Sequence, residues 1–134
     1  MTSIALVRDF MAKDLITFSP DMDVYKAIDI MVSKKISGAS VIDENQKMVG
    51  ILSEKDCLRI LAHDAYHNLP GGTVADYMSE IVMTVHPNTD IFSAAVIFLQ
   101  NHYRRLPVVE NDKLVGQISR RDVLKAIQKL KGSG

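Results

Sequence analysis

Tryptophan is absent from this sequence of 134 residues, and cysteine occurs once, as Cys57. A lone cysteine excludes an internal disulfide and is typical of a reducing compartment, so we expect a cytoplasmic protein. Sixteen basic residues balance sixteen acidic ones, and a neutral chain has no overall field that would attract nucleic acid or an acidic membrane surface. No apolar run approaches the ~20 residues that span a bilayer. Nucleic acids and membranes are therefore not expected as partners.

The sequence contains one pattern of residues that occurs twice. Val7 aligns with Val74, and after one deleted residue Gly50–Asp56 (GILSEKD) aligns with Gly116–Asp122 (GQISRRD). Further identical pairs between these anchors indicate an internal duplication. Two copies are too few for a solenoid, but they suffice for two units that bury each other's apolar faces. The predicted boundaries are 7–64 for the first repeat, 65–73 for a linker and 74–130 for the second repeat, within a single module of residues 1–134.

Each copy predicts the element order β-α-β-β-α. A short extended segment ends in proline and is followed by a helix, for which Val24, Ala27 and Met31 supply one apolar face in the first copy. Asp23 and its counterpart Asp90 stand at the N-cap position of this helix. Two strands joined by a polar turn come next. A second, closing helix begins at the serine of each Ser-x-x-Asp box, Ser53 or Ser119.

This order, together with the stretch RRLPVVENDKLVGQISRRD in the second copy, resembles the cystathionine-β-synthase (CBS) domain, two of which in tandem form a Bateman module. The resemblance extends from about Val7 to Lys129. It implies an α/β (α+β) fold in which two β-α-β-β-α repeats pack through their sheets with pseudo-twofold symmetry and leave two clefts for adenosyl ligands. Each cleft would take a base-binding wall from one repeat and a Gly-x-x-Ser-x-x-Asp element from the other. The first copy departs from the family at Ser40, where proline is common.

The Gly-x-x-Ser-x-x-Asp element has chemistry that suits a nucleotide. A helix N-terminus offers free N–H groups to phosphate or ribose oxygens, and an aspartate one turn on can accept hydrogen bonds from a ribose diol. The glycine would let a ligand approach the backbone. Taken alone, each Ser-x-x-Asp is better explained as a helix cap that binds no ligand.

The residues of both clefts follow from the resemblance and this chemistry. Cleft B is predicted to contain Val82, Met83, Arg104, Arg105, Leu106, Ser53, Lys55 and Asp56. Cleft A is predicted to contain Ile16, Ser37, Gly38, Ala39, Ser119, Arg121 and Asp122. Arg104, Arg105 and Lys55 would bind phosphate in cleft B, although an arginine pair of this kind is often only solvated surface. Arg120 and Arg121 take the corresponding places in cleft A.

The functional hypothesis is a stand-alone regulatory module that senses AMP, ADP or ATP and has no catalytic activity. No activated nucleophile, carboxylate pair or metal cluster stands out, and His63 and His67, at i and i+4, lack a third ligand. No cofactor is expected, because the adenine nucleotide would act as a regulatory ligand. Two alternatives stay open: a structural or protein-interaction module with empty clefts, and a sensor of S-adenosylmethionine. An apolar stripe on the closing helix of each repeat predicts a homodimer. The signal of ligand binding would pass to an unidentified regulated protein.

Overall fold

A computed structural model describes residues 5–62, 70–81 and 83–132. In chain order the elements are α1 Val7–Phe10, β1 Thr17–Phe18, α2 Val24–Lys34, β2 Gly38–Ile42, β3 Met48–Ser53, α3 Glu54–Ala62, α4 Val74–Tyr77, α5 Ile91–Gln100, β4 Arg105–Glu110, β5 Lys113–Ser119 and α6 Arg120–Gly132. The fold is mixed α+β, as predicted, and each copy contains the predicted helix, β-hairpin and closing helix. The short extended segment before the first predicted helix differs between the copies. In the first copy it forms strand β1, whereas in the second it forms an isolated parallel bridge between Val85 and Val108.

The chain forms two compact units whose boundaries cross those of the sequence repeats. Unit 2 is Ile16–Val82, and unit 1 combines Met1–Leu15 with Met83–Gly134. The single-turn helix that opens each repeat therefore belongs to the unit that holds most of the other repeat. In unit 1, α1 docks through a hydrogen bond from Val7 N to Thr89 O (2.8 Å). In unit 2, α4 docks in the same way, with Val74 N donating to Met22 O (2.8 Å).

In unit 2 a three-stranded sheet supports the core. Strand β1 runs parallel to β2, and β2 is antiparallel to β3. Asp23 caps α2 as predicted, accepting a hydrogen bond from Tyr25 N (3.3 Å). The predicted apolar face of Val24, Ala27 and Met31 is buried. The core cluster of this unit consists of Phe18, Ala27, Met31, Ala39, Val41, Leu52 and Val74.

In unit 1 strands β4 and β5 form an antiparallel hairpin, and α6 packs against both β5 and α5. Asp90 caps α5 as predicted, because its carboxylate accepts the backbone N–H of Ser93 at 2.9 Å. The core cluster of this unit consists of Val7, Val85, Ile91, Ala94, Leu106, Val108, Ile118, Val123 and Ala126. Each unit thus has its own hydrophobic core, and each core includes the first residue of the short helix contributed by the other repeat.

Candidate functional site

The two Ser-x-x-Asp elements form the same closed capping box at the start of α3 and of α6. In unit 2 the hydroxyl of Ser53 accepts a hydrogen bond from Asp56 N (3.2 Å), while Asp56 Oδ2 accepts from both the backbone N–H and the hydroxyl of Ser53 (2.9 Å each). Ser119 and Asp122 repeat this pattern in unit 1, at 3.1, 2.8 and 3.0 Å. The interpretation of each element as a helix cap is confirmed. Any ligand role must therefore use the groups that the cap leaves free.

In unit 2 a predicted base-binding segment lies beside the capping box of its own repeat. Gly38 is the strand partner of Ser53, and the backbone N–H of Glu54 donates to Ser37 O (2.9 Å). Lys55, in the first turn of α3, is exposed. Residues that were predicted for cleft A therefore lie next to residues that were predicted for cleft B, and a molecule at this capping box would meet both.

Unit 1 has the same arrangement, and here it gathers four arginines. Arg105 is the strand partner of Ser119, and Arg120 N donates to Arg104 O (3.2 Å). Arg104, Arg120 and Arg121 are exposed and Arg105 is half-buried. Within residues 5–62, 70–81 and 83–132, none of the four forms an ion pair. The end of the β4–β5 hairpin that holds the capping box is therefore strongly cationic.

The remaining predicted wall residues differ in accessibility. Ile16 is 39% exposed, and Met83 is partly buried against the core of unit 1. Ala39 and Leu106 direct their side chains into the cores of units 2 and 1 respectively. Val82 lies outside the described residues. The division of these residues between clefts A and B stays a prediction.

Gly50 and Gly116, the glycines of the two elements, are required by the protein's own chain. A Cβ on Gly50 would lie 3.0 Å from the carbonyl oxygen of Ser79, and one on Gly116 would lie 2.9 Å from that of Ala12. The sulfur of Met78 would lie 2.6 Å from the carbon added at Gly50, and the sulfur of Met11 would lie 2.6 Å from the carbon added at Gly116. The hypothesis that these glycines make room for a ligand is therefore wrong, because the segment after α4 or α1 already occupies that space.

The two aspartates of the capping boxes have different environments. Asp56 is 3% exposed. Its Oδ1 accepts a hydrogen bond from Ser79 Oγ at 2.6 Å and lies 3.7 Å from a guanidinium nitrogen of Arg59. Since Ser53 already engages Oδ2, both oxygens of this carboxylate are bound by the protein.

Asp122 is half-buried, and one of its oxygens has no partner among the described residues. In the part of the chain that the structure describes, its Oδ1 has no hydrogen-bond partner, because Ser119 bonds Oδ2 alone. The residue that corresponds to Ser79 is Ala12, which forms the same kind of backbone bridge but carries no hydroxyl. Sequence reasoning missed this difference. The serine and alanine were visible in the aligned copies, but their proximity to the aspartates arises only from the folded segment.

Two cavities in unit 2 have none of the predicted ligand residues in their lining. One of about 600 Å³ is lined by residues 17–22 and 42–44. The other, about 380 Å³, lies between α2 and α3 and includes Cys57 and Leu58 in its apolar lining. Burial raises the pKa of the Cys57 thiol, and the charge of Asp56 raises it further. The thiol is therefore protonated at neutral pH and unsuited to nucleophilic chemistry.

The described residues offer neither a metal-binding cluster nor a membrane-spanning helix. Within 5–62, 70–81 and 83–132 no three His, Cys, Asp or Glu side chains come together in a way that could hold a metal ion. The pair His63 and His67 lies outside these ranges. None of the described helices combines the length and the apolar character needed to cross a membrane.

Comparison with known proteins identifies the family. The model of the CBS domain matches residues 7–63 and again residues 74–129. The CBS domain-containing protein CBSX1 of Arabidopsis thaliana, a chloroplastic protein, is 33% identical in an alignment that covers 99% of this chain and 68% of that protein. The uncharacterized protein MJ1426 of Methanocaldococcus jannaschii is 30% identical, and the alignment covers 92% of each chain.

A solved structure supports the same assignment. CBSX2 from Arabidopsis thaliana, crystallised in complex with AMP, is 33% identical to this chain and superposes with a TM-score of 0.80, covering 95% of this chain and 98% of that one. The fold, the duplicated capping boxes and the two family matches agree over nearly the whole sequence. The chain therefore belongs to the CBS domain family and carries two CBS repeats in tandem.

Proposed function

We propose that this chain is a regulatory module that binds an adenine nucleotide, AMP, ADP or ATP, and catalyses no reaction on it. The observation that carries the proposal is the free Oδ1 of Asp122, which belongs to the same unit as four arginines without ion pairs among the described residues. The crystal structure of CBSX2 with AMP supports the choice of ligand class, since that protein is 33% identical to this chain.

Each part of the nucleotide has a matching group in unit 1. A ribose diol would donate to Asp122 Oδ1, and hydrogen bonds to a charged acceptor contribute about 1.5–3 kcal/mol. Arginine guanidinium groups bind phosphate oxygens in a bidentate manner, a role for which we propose Arg104, Arg105, Arg120 and Arg121. Adenine requires a flat apolar slot, for which Met83 remains a candidate in this unit.

The regulatory output follows from the thermodynamics of binding. A ligand shifts a conformational equilibrium only by its differential affinity for the two states, so we propose that nucleotide occupancy alters the affinity of the module for a second copy or for a regulated protein. We propose the cytoplasm as its compartment, where adenine nucleotides are available.

A protein-interaction module with empty clefts is the second candidate, favoured by exposed apolar side chains on the helices. Leu58, Leu61 and Leu99 are 65%, 67% and 84% exposed. S-adenosylmethionine fits less well, because its sulfonium cation would approach the cationic end of unit 1, where like charges repel.

Isothermal titration against AMP, ADP, ATP, adenosine and S-adenosylmethionine tests the proposal. We expect the nucleotides to bind more tightly than adenosine, and S-adenosylmethionine to bind least tightly. A thermal-shift assay gives a second readout, because a ligand at a hundred times its Kd stabilises the native state by ~2.7 kcal/mol. If no adenosyl compound binds, the regulatory proposal fails and the interaction module takes its place.

A further inference from the structure

We infer that Ser79 closes the capping box of unit 2 to ribose, so that the chain binds one adenosyl ligand, at Asp122, rather than two. This inference rests on the proposed function and adds a residue that determines which of the two CBS motifs is used. It begins from the different environments of Asp56 and Asp122, which share one motif and one capping geometry.

The contact between Ser79 and Asp56 withdraws the carboxylate from solvent. At 2.6 Å, the hydroxyl makes a short charge-assisted hydrogen bond to Oδ1. A guanidinium nitrogen of Arg59 lies 3.7 Å from the same oxygen. Asp56 itself is 3% exposed. A ribose hydroxyl could reach this oxygen only after the Ser79 bond had been broken and the carboxylate uncovered.

Ser79 is held in place by the backbone. Its N–H donates to Ile51 O (2.8 Å) and its carbonyl accepts from Ile51 N (3.0 Å). Ala12 forms the equivalent pair of bonds with Gln117, at 2.8 and 2.9 Å. The main chain therefore places a serine beside one aspartate and an alanine beside the other. This serine-to-alanine difference leaves Asp122 Oδ1 without a partner among the described residues.

Two reciprocal substitutions, Ser79→Ala and Ala12→Ser, test the inference. Ala12 is exposed, so a serine there fits without disturbing the core, and thermal melts would confirm that both variants fold. In Ala12→Ser the new hydroxyl is expected to bond Asp122 and to lower the affinity for AMP by about tenfold to a hundredfold, as expected for loss of a ligand bond to a charged group. Ser79→Ala is expected to add a second, weaker site for AMP.

Recognition of the ribose hydroxyls gives a readout that a general loss of structure would not produce. The wild type is expected to prefer AMP over 2′-deoxy-AMP by about tenfold, and Ala12→Ser is expected to bind the two equally. If Ala12→Ser instead weakened both ligands by the same factor and kept the preference, the substitution would act through the fold and the inference would be wrong.

Stoichiometry separates the failure of this inference from the failure of the proposed function. One AMP per chain in the wild type, lost in Asp122→Asn and retained in Asp56→Asn, supports the inference. Two AMP per chain, or one that is lost in Asp56→Asn, would overturn the inference and leave the proposed function intact. Absence of AMP binding in the wild type and in both reciprocal variants would overturn both.

Discussion

At the residue scale, the proposed site depends on side chains whose charge is not neutralised within the described part of the protein. Arg104 immediately precedes β4 and Arg105 begins it, and neither forms an ion pair among the described residues. Their proposed role is therefore specific to phosphate, whereas the role of Asp122 is specific to ribose. Because the two parts of the ligand are separable, so are the effects of substitution.

The double substitution Arg104→Ala with Arg105→Ala is expected to lower the affinity for AMP and ATP much more than the affinity for adenosine. Added salt should weaken wild-type binding of the nucleotides, since exposed charges are screened beyond ~8 Å at physiological ionic strength. Isothermal titration at two salt concentrations measures both effects. Lys125→Ala with Lys131→Ala removes the same charge from exposed positions of α6 and serves as the control. Equal losses for nucleotide and nucleoside would show that the arginines shape the site without binding phosphate.

Gly50→Ala and Gly116→Ala are each expected to destabilise the protein by about 1–3 kcal/mol, the usual cost of forcing an extra carbon into a packed position. The added Cβ would approach a backbone carbonyl at 3.0 or 2.9 Å. Gly71→Ala is the matched control, because a Cβ there meets nothing within 4 Å and the substitution should be close to neutral. Urea unfolding followed by circular dichroism measures the three differences. A neutral result at Gly50 and Gly116 would contradict the close approach seen in the structure.

The capping boxes and the arginines could be predicted from the sequence, because both depend on residues that are near one another in the chain. Ser53, Asp56, Ser119 and Asp122 were correctly predicted as caps on that basis. The contact between Ser79 and Asp56 could not be predicted, because it joins segments that are distant in sequence and depends on the register of a backbone bridge. Long-range contacts of this kind decide which motif stays open.

At the scale of the element, helices with a local cap were predicted and helices that depend on docking were not. Asp23 and Asp90 indicated the starts of α2 and α5, and the structure confirms both. The single-turn helices α1 and α4 were missed, since four residues carry too little periodicity to be recognised. Their backbone bonds to Thr89 and Met22 come from the other repeat and have no local signal.

The cap of α5 is expected to depend on pH. Hydrogen bonds from the backbone and the hydroxyl of Ser93 lower the pKa of Asp90, so the ionised form is favoured in the folded state. The corresponding stabilisation is present above the ordinary aspartate pKa, about 3.9, and is lost as the pH falls through the lowered folded value. Asp90→Asn keeps an acceptor but removes the charge. We therefore expect the wild type to be more stable than this variant at pH 7, with the difference disappearing in acid, as thermal melts across pH would show. A difference that is constant with pH would contradict this account.

At the scale of the whole molecule, apolar side chains remain exposed on helices of both units. In unit 2 these include Leu58 and Leu61 on α3. In unit 1, Leu124 and Ile127 on α6 are 63% and 53% exposed. Large contiguous apolar patches on a surface mark interaction sites, so these side chains are candidates for the interface of the proposed homodimer.

Leu124→Glu with Ile127→Glu is expected to convert the proposed dimer into a monomer, because the charges would be buried in an apolar interface. Light scattering at micromolar concentration reports the mass directly. Lys125→Gln with Gln128→Glu changes the net charge by the same amount at exposed polar positions of the same helix and should remain dimeric. A wild-type protein that is monomeric under these conditions would refute the dimer.

The composition of unit 1 from two separated segments has a consequence for the order of folding. Unit 2 is one continuous stretch and can form as soon as it has been synthesised, whereas Met1–Leu15 must wait for Met83–Gly134. Pairing across such a long intervening loop costs entropy and slows folding. During refolding, amides of β2 and β3 are therefore expected to gain protection from hydrogen exchange before those of β4 and β5. On the ribosome, Asp122 and its arginines would become competent only after α6 has emerged, so a shorter nascent chain would not bind the nucleotide.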